Sequence, residues 1–171
     1  MVNQTKPYVE ISGSGPDLVL LHGWGLHGGI WNPILPELTQ HYRVHNIDIP
    51  GFGHSRIQHQ SCYQMQNLVS TIETLIPQKA YLMGWSIGGL IATAIALSTE
   101  AKIAKLVTVA SSPRFTLGDD WPFGMQAEAL DGFIAELTKD YQKTLVNFLS
   151  LQTMGSMTDK TGCRRFKTSH L

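Results

Sequence analysis

"LMGWSIGGL", residues 82–90, is an apolar run that halts at a serine, passes through two glycines and continues as "IATAIALS". Within it, Gly84-Trp85-Ser86-Ile87-Gly88 is a G-x-S-x-G set where a buried strand gives way to an Ala-rich helix. A nucleophilic serine needs such a junction. The sharp strand-to-helix turn lifts the hydroxyl above a sheet. The flanking glycines remove Cβ atoms where that turn presses on its own helix and the neighbouring strand. The helix's amino end then offers the N–H of Ile87 to a developing oxyanion. The plainer alternative is an ordinary N-cap, the usual role of a serine at a strand–helix junction.

A second oxyanion donor must come from a loop after an earlier strand. "VLLHGWGLHGG", residues 19–29, is such a place, and His22-Gly23-Trp24-Gly25 would supply the N–H of Trp24. The same letters contain Gly23-x-Gly25-x-x-Gly28, the spacing that cradles a dinucleotide pyrophosphate, with Asp48 near the distance expected of a ribose-binding carboxylate. Three features weigh against that oxidoreductase reading. Trp24 would set an indole beside the pyrophosphate, Pro33 and Pro36 interrupt the segment where a helix should open, and the serine elbow goes unexplained. His22 reads as a buried brace for its loop, and Asp48 and His54 as residues that shape "DIPGFGHS". Trp24, Trp31, Trp85 and Trp121 fit plain core positions, although Trp24 and Trp85 also adjoin the candidate reacting centre.

Further out, residues 8–11 and 17–22 read as strands joined by "SGSGPD", and "DLVLLH" is apolar on both faces, as in a buried parallel strand. "YRVHNIDI", "KAYLMGW" and "KIAKLVTVASS" are further strands. "IWNPILPELTQ" is loosely helical, and "NLVSTIETLI" has helical spacing at Leu68, Ile72, Leu75 and Ile76. This alternation predicts an α/β fold with a mostly parallel sheet and right-handed crossovers. At Pro113 the texture becomes irregular. Phe133, Ile134, Leu137 and Tyr141, then Leu145, Phe148 and Leu149, follow with amphipathic spacing. Thr138 is the expected cap of the second of two helices, with Asp140 in its first turn.

The 171 residues suffice for one domain with a proper core. Thirteen Lys and Arg balance thirteen Asp and Glu, so no global field steers the chain toward nucleic acid. No apolar stretch is long enough to span a bilayer, and no signal-peptide pattern opens the chain. Cys62 and Cys163 lack C-x-x-C partners, and the seven histidines show no ligand spacing. Neither a metal nor any other cofactor is expected, and a reducing, cytoplasmic setting fits best.

With these residues assembled, the chain resembles the α/β-hydrolase superfamily. Within it, the chain is similar to the carboxylesterases that act on pimeloyl-acyl carrier protein methyl ester in biotin synthesis. The matching segments are "LVLLHGWGLHGGIW", "IDIPGFGHS", "LMGWSIGGLIAT", "LVTVASSPRF", "DDWPFGM" and "FLSLQTMG". The resemblance implies a core over 1–112, a partial helical cap over 113–155, and a divergent tail over 156–171. It implies Ser86 as nucleophile, and Trp24 and Ile87 as backbone oxyanion donors. It further implies that Trp24, Phe148, Leu149, Ser150, Leu151 and Gln152 line the acyl site. Lys143, Lys160 and Arg164 would receive the acidic acyl carrier protein, with Asn147 where the family often has a further arginine. The alternative for Lys143 is a solvated helix face. The intact enzyme would be a monomer without nucleic-acid or membrane partners.

The family's order is serine, then Asp or Glu, then histidine. Here neither partner has arrived when similarity fades after "LQTMG", and the tail "TDKTGCRRFKTSHL" has the look of a frameshift. Asp159 and His170 follow Ser86 in the right order, but no strand separates them. A chain cut before the last strands would lose about 10⁶ in kcat with its triad broken. It would then be a remnant that at most binds acyl carrier protein. It would also leave "KLVTV" as a bare edge, with poor solubility the expected result.

Overall fold

The computed structural model describes residues 6–55, 64–98 and 103–153. The chain divides into two compact units, Met1–Pro113 and Arg114–Leu171.

Among the described residues the first unit is built on a five-stranded sheet: β1 (Val9–Ser12), β2 (Asp17–Leu21), β3 (Arg43–Ile47), β4 (Ala80–Trp85) and β5 (Ile103–Val109), in the order β1-β3-β2-β4-β5. Only β1 runs antiparallel, with Val9 opposite Ile47. Leu21 of β2 aligns with Ile47 on one side and Gly84 on the other, both in parallel register. From β2 the chain moves outward to β3, then crosses back over β2 to place β4. The carboxyl ends of β2 and β4 therefore flank the point where the winding reverses, the crevice in which open α/β sheets bind ligands.

Strand β2 is apolar on both faces because both are covered. Val19 and Leu21 join Leu82, Leu68 and Ile72 of α2 (Met65–Glu73), and Ile91 and Ile95 of α3 (Ile87–Ser98). Leu18 and Leu20 join Trp31 and Val44 on the opposite face, under Leu35 and Leu38 of α1 (Leu35–Leu38). Ile91 and Ile95 are fully enclosed, and each such side chain contributes about 1.5–3 kcal/mol of transfer free energy. The segment after Gly28 is no regular helix: Gly28–Trp31 is a 3₁₀ turn and α1 spans four residues. Pro36 fits α1 because it stands in the first turn, where no intrahelical N–H is required.

Strand β5 pairs with β4, Trp85 opposite Val109, and lies at the end of the sheet. Its Leu106, Val107 and Val109 are 38%, 43% and 41% exposed. An apolar edge is a template for another strand. Sedimentation velocity of the chain is expected to show association that grows with concentration, and Val107→Lys is expected to suppress it. A single monomeric species at every concentration would contradict this.

The second unit holds α4 (Ala127–Lys139) and α5 (Tyr141–Thr153), joined through Asp140, with the rings of Phe133 and Phe148 5.4 Å apart. The expected cap at Thr138 is corrected. Its hydroxyl donates back to the carbonyl of Ile134 inside α4, at 2.9 Å. Asp140 does the capping, its Oδ1 accepting the N–H of Lys143 at 3.0 Å with extended backbone, φ −152°. An aspartate there also sits favourably against the positive end of α5.

Candidate active site

Ser86 follows β4 with φ +56°, one of three non-glycine residues with positive φ among those described. That conformation costs an L-residue roughly 1–2 kcal/mol and persists only where its surroundings hold it. An N-cap serine has extended backbone and spends its hydroxyl on an N–H one turn on. Ser86 does neither: among the described residues its Oγ has no hydrogen-bond partner, while its carbonyl accepts from Gly89 N–H at 2.9 Å and Leu90 N–H at 3.2 Å. The residue is half-buried.

The glycines around it are required by contact. A Cβ on Gly84 would strike the backbone of Gly88 and stand 2.6 Å from the nitrogen of Gly89; a Cβ on Gly88 would strike the carbonyl oxygens of Leu21 and His22. Helix α3 thus starts directly against the end of β2. From the other side, a Cβ built on Gly23 would lie 3.2 Å from Trp85 Cε3 and 3.5 Å from Ser86 Cβ. The loop after β2 is pressed onto the elbow, with Trp24 the next residue along it. Trp24 and Ile87 are both half-buried.

His22 fixes that loop. It is fully buried; its Nδ1–H donates to Gly23 O at 2.8 Å, and its Nε2 accepts the N–H of Ile49 at 2.9 Å. Donating from one nitrogen and accepting at the other defines a neutral imidazole of one tautomer. The histidine is a brace between the β2 and β3 loops.

Asp48, 2% exposed, is the second brace. Its Oδ1 accepts the N–H of Gly28 at 2.6 Å, and its Oδ2 accepts the N–H of His54 at 2.8 Å and His54 Nδ1–H at 3.0 Å. Burial alone would push this carboxyl up; the donors from His54 and Gly28 outweigh it and hold the group below its ordinary value. The same bonds close the turn to a dinucleotide. The Gly28 amide that would meet a pyrophosphate is taken by a carboxylate, its carbonyl accepts Asn46 Nδ2 at 3.0 Å, and Asp48 is too enclosed to meet a ribose. Asn46 escaped the sequence reading because a polar residue inside a strand gives no periodic signal.

In α5, Phe148 packs on Phe133, Leu149 and Ser150 are half-buried, and Leu151 and Gln152 are exposed. Ser150 Oγ donates to Val146 O at 2.7 Å. Five consecutive helical residues spread over more than one full turn, so they do not share one face. The side chain of Lys143 is exposed. Lys160, Arg164, Asp159 and His170 lie outside the described residues, as do Cys62 and Cys163. Among the described residues no three His, Cys, Asp or Glu side chains are grouped to hold a metal ion, and no helix is long and apolar enough to cross a membrane.

A mostly parallel sheet with a glycine-flanked, left-handed serine at its winding reversal, and a Gly-rich loop against that serine, defines the α/β hydrolases. The chain belongs to this family: the family model described as alpha/beta hydrolase fold matches residues 16–166. It is 47% identical over 148 residues to a pimeloyl-[acyl-carrier protein] methyl ester esterase from Aeromonas salmonicida, covering 86% of this chain and 58% of that protein. A protein of the same name from Pseudoalteromonas atlantica is 41% identical over 157 residues, covering 92% and 60% respectively. Among solved structures, an esterase from Exiguobacterium antarcticum superposes with a TM-score of 0.79 at 29% identity, covering 87% of this chain and 57% of that one. The chain therefore spans about three fifths of the length of the curated relatives it matches.

Proposed function

We propose that this chain carries the nucleophile and oxyanion hole of a serine carboxylesterase, and that its ester is the methyl ester of a pimeloyl group on acyl carrier protein. One observation carries the chemical half of this reading: Ser86 stands in left-handed conformation at the end of β4 with the Gly23 loop packed against it. The substrate half draws on the names of the relatives. Ser86 Oγ attacks the ester carbonyl carbon and gives its proton to a base. The carbonyl oxygen gathers charge and accepts hydrogen bonds from the N–H groups of Trp24 and Ile87, each worth about 2.7–4 kcal/mol in the transition state. Collapse of the tetrahedral species expels the methoxy group, which takes that proton back from the base and leaves as methanol. Water then attacks the acyl-serine and releases the carboxylic acid. In this reading Phe148–Gln152 contributes to the acyl site, Lys143, Lys160 and Arg164 meet the acidic carrier, and the intact enzyme, with the β5 edge covered, works as a cytoplasmic monomer.

A second reading has its own support. Among the described residues nothing hydrogen-bonds Ser86 Oγ, and a serine without a base is a poor nucleophile. The chain would then be a non-hydrolytic form that at most binds acyl carrier protein. A fluorophosphonate probe separates the two. The esterase reading expects covalent labelling that maps to Ser86 and disappears in Ser86→Ala; an unlabelled native chain would overturn it in favour of the second.

A further inference from the structure

We propose that Ser111 is a positioning residue that aims the N–H of Ile87 at the oxyanion, an inference that rests on the esterase reading. The strain at Ser86 has to be held, and the end of β5 holds it on both sides. The carbonyl of Val109 accepts the N–H of Ser86 at 2.9 Å, and Ser111 Oγ donates to the carbonyl of Ser86 at 2.7 Å. Between these two contacts lies Ala110, also left-handed at φ +44°. That turn of the chain lets residues 109 and 111 reach the same partner.

The grip matters because of what shares the peptide plane. The carbonyl of Ser86 and the N–H of Ile87 belong to one rigid trans peptide group and point in opposite directions. A donor that fixes the carbonyl therefore fixes the direction of the N–H. The N–H groups of Gly89 and Leu90 reach that carbonyl from within α3; Ser111 alone ties it to the sheet among the described residues. The start of α3 is also shaped around Ser111: a Cβ on Gly89 would lie 2.5 Å from Ser111 Cβ and 2.6 Å from its Oγ. The sequence showed "ASS" after a strand and gave no reason to single out its first serine.

Ser111→Ala and Ser111→Thr are compared with the native chain in two measurements, both scaled to the folded fraction. The first is the rate of fluorophosphonate labelling at Ser86; the second is the ¹H–¹⁵N resonance and exchange rate of the Ile87 amide. Ser111→Ala is expected to slow labelling about tenfold and to shift the Ile87 amide and speed its exchange. Ser111→Thr, which keeps the hydroxyl, is expected to restore both. Native labelling with an unchanged rate in Ser111→Ala would overturn the inference and leave the esterase reading intact. If the native chain is not labelled, the esterase reading fails, and the amide decides the geometry. An Ile87 signal that moves in Ser111→Ala and returns in Ser111→Thr supports Ser111 as the group that orients this peptide, the oxyanion role falling with the esterase reading, and one that stays put overturns the inference altogether.

Discussion

Gly88→Ala is expected to lower the free energy of unfolding by about 3 kcal/mol, read as a reduced urea midpoint at pH 7. The added methyl group would land on the carbonyl oxygens of Leu21 and His22, which are main-chain atoms at the end of β2. A flexible side chain could swing aside; a strand end cannot. Helix α3 would have to lift from the sheet, opening gaps around Ile91 and Ile95, both fully buried. The same movement would disturb Ser86, whose Cβ lies 3.5 Å from where a Cβ on Gly23 would stand. Gly132→Ala in α4 is the matched control, since nothing lies within 4 Å of its added Cβ. There the methyl group is expected to stabilise the helix by up to about 1 kcal/mol. Equal, small effects at both sites would show that α3 does not rest on β2 as described.

Asp48→Ala is expected to cost about 1–3 kcal/mol, because it strands the buried N–H of Gly28 and frees the loop at His54. The loss should depend on pH in a definite direction. The native carboxyl titrates below its ordinary value, so its contribution is fully present above the unfolded-state pKa of about 3.9. It declines as pH falls from there through the lower folded-state pKa. The native and variant unfolding free energies, measured by denaturant titration, should therefore differ most near neutrality and converge in acid. A gap that is constant from pH 7 to pH 3 would mean that Asp48 holds its partners without its charge.

The elements that position the site were legible because they obey simple periodicities. The β2 segment "DLVLL" is apolar on both faces, and it is covered on both; "IGGLIATAIALS" begins and ends where α3 does. Gly84 and Gly88 could be read as close-contact positions because a strand-to-helix turn leaves no space for Cβ. What stayed hidden depends on long-range partners. Asn46 reaches a glycine 18 residues earlier, and Ser111 reaches a carbonyl 25 residues earlier. Neither spacing belongs to a local pattern. Thr138 and Asp140 show the limit from another side. Both residue types cap helices, and only the break at Asp140, where φ is −152°, decides between them. Phe148–Gln152 and Lys143 were singled out by resemblance to a family and not by any spacing within α5, because pocket lining and carrier contact leave no local pattern in a helix.

Catalysis at this site requires the oxygen of Ser86 and two main-chain amides to converge on one substrate carbonyl. The direct measurement is a crystal structure of the chain after reaction with a fluorophosphonate. The expected result is a phosphorus–oxygen bond to Ser86 Oγ and a phosphoryl oxygen about 2.7–3.1 Å from the nitrogens of both Trp24 and Ile87. An unmodified Ser86, or an adduct whose phosphoryl oxygen points to solvent away from those amides, would contradict it.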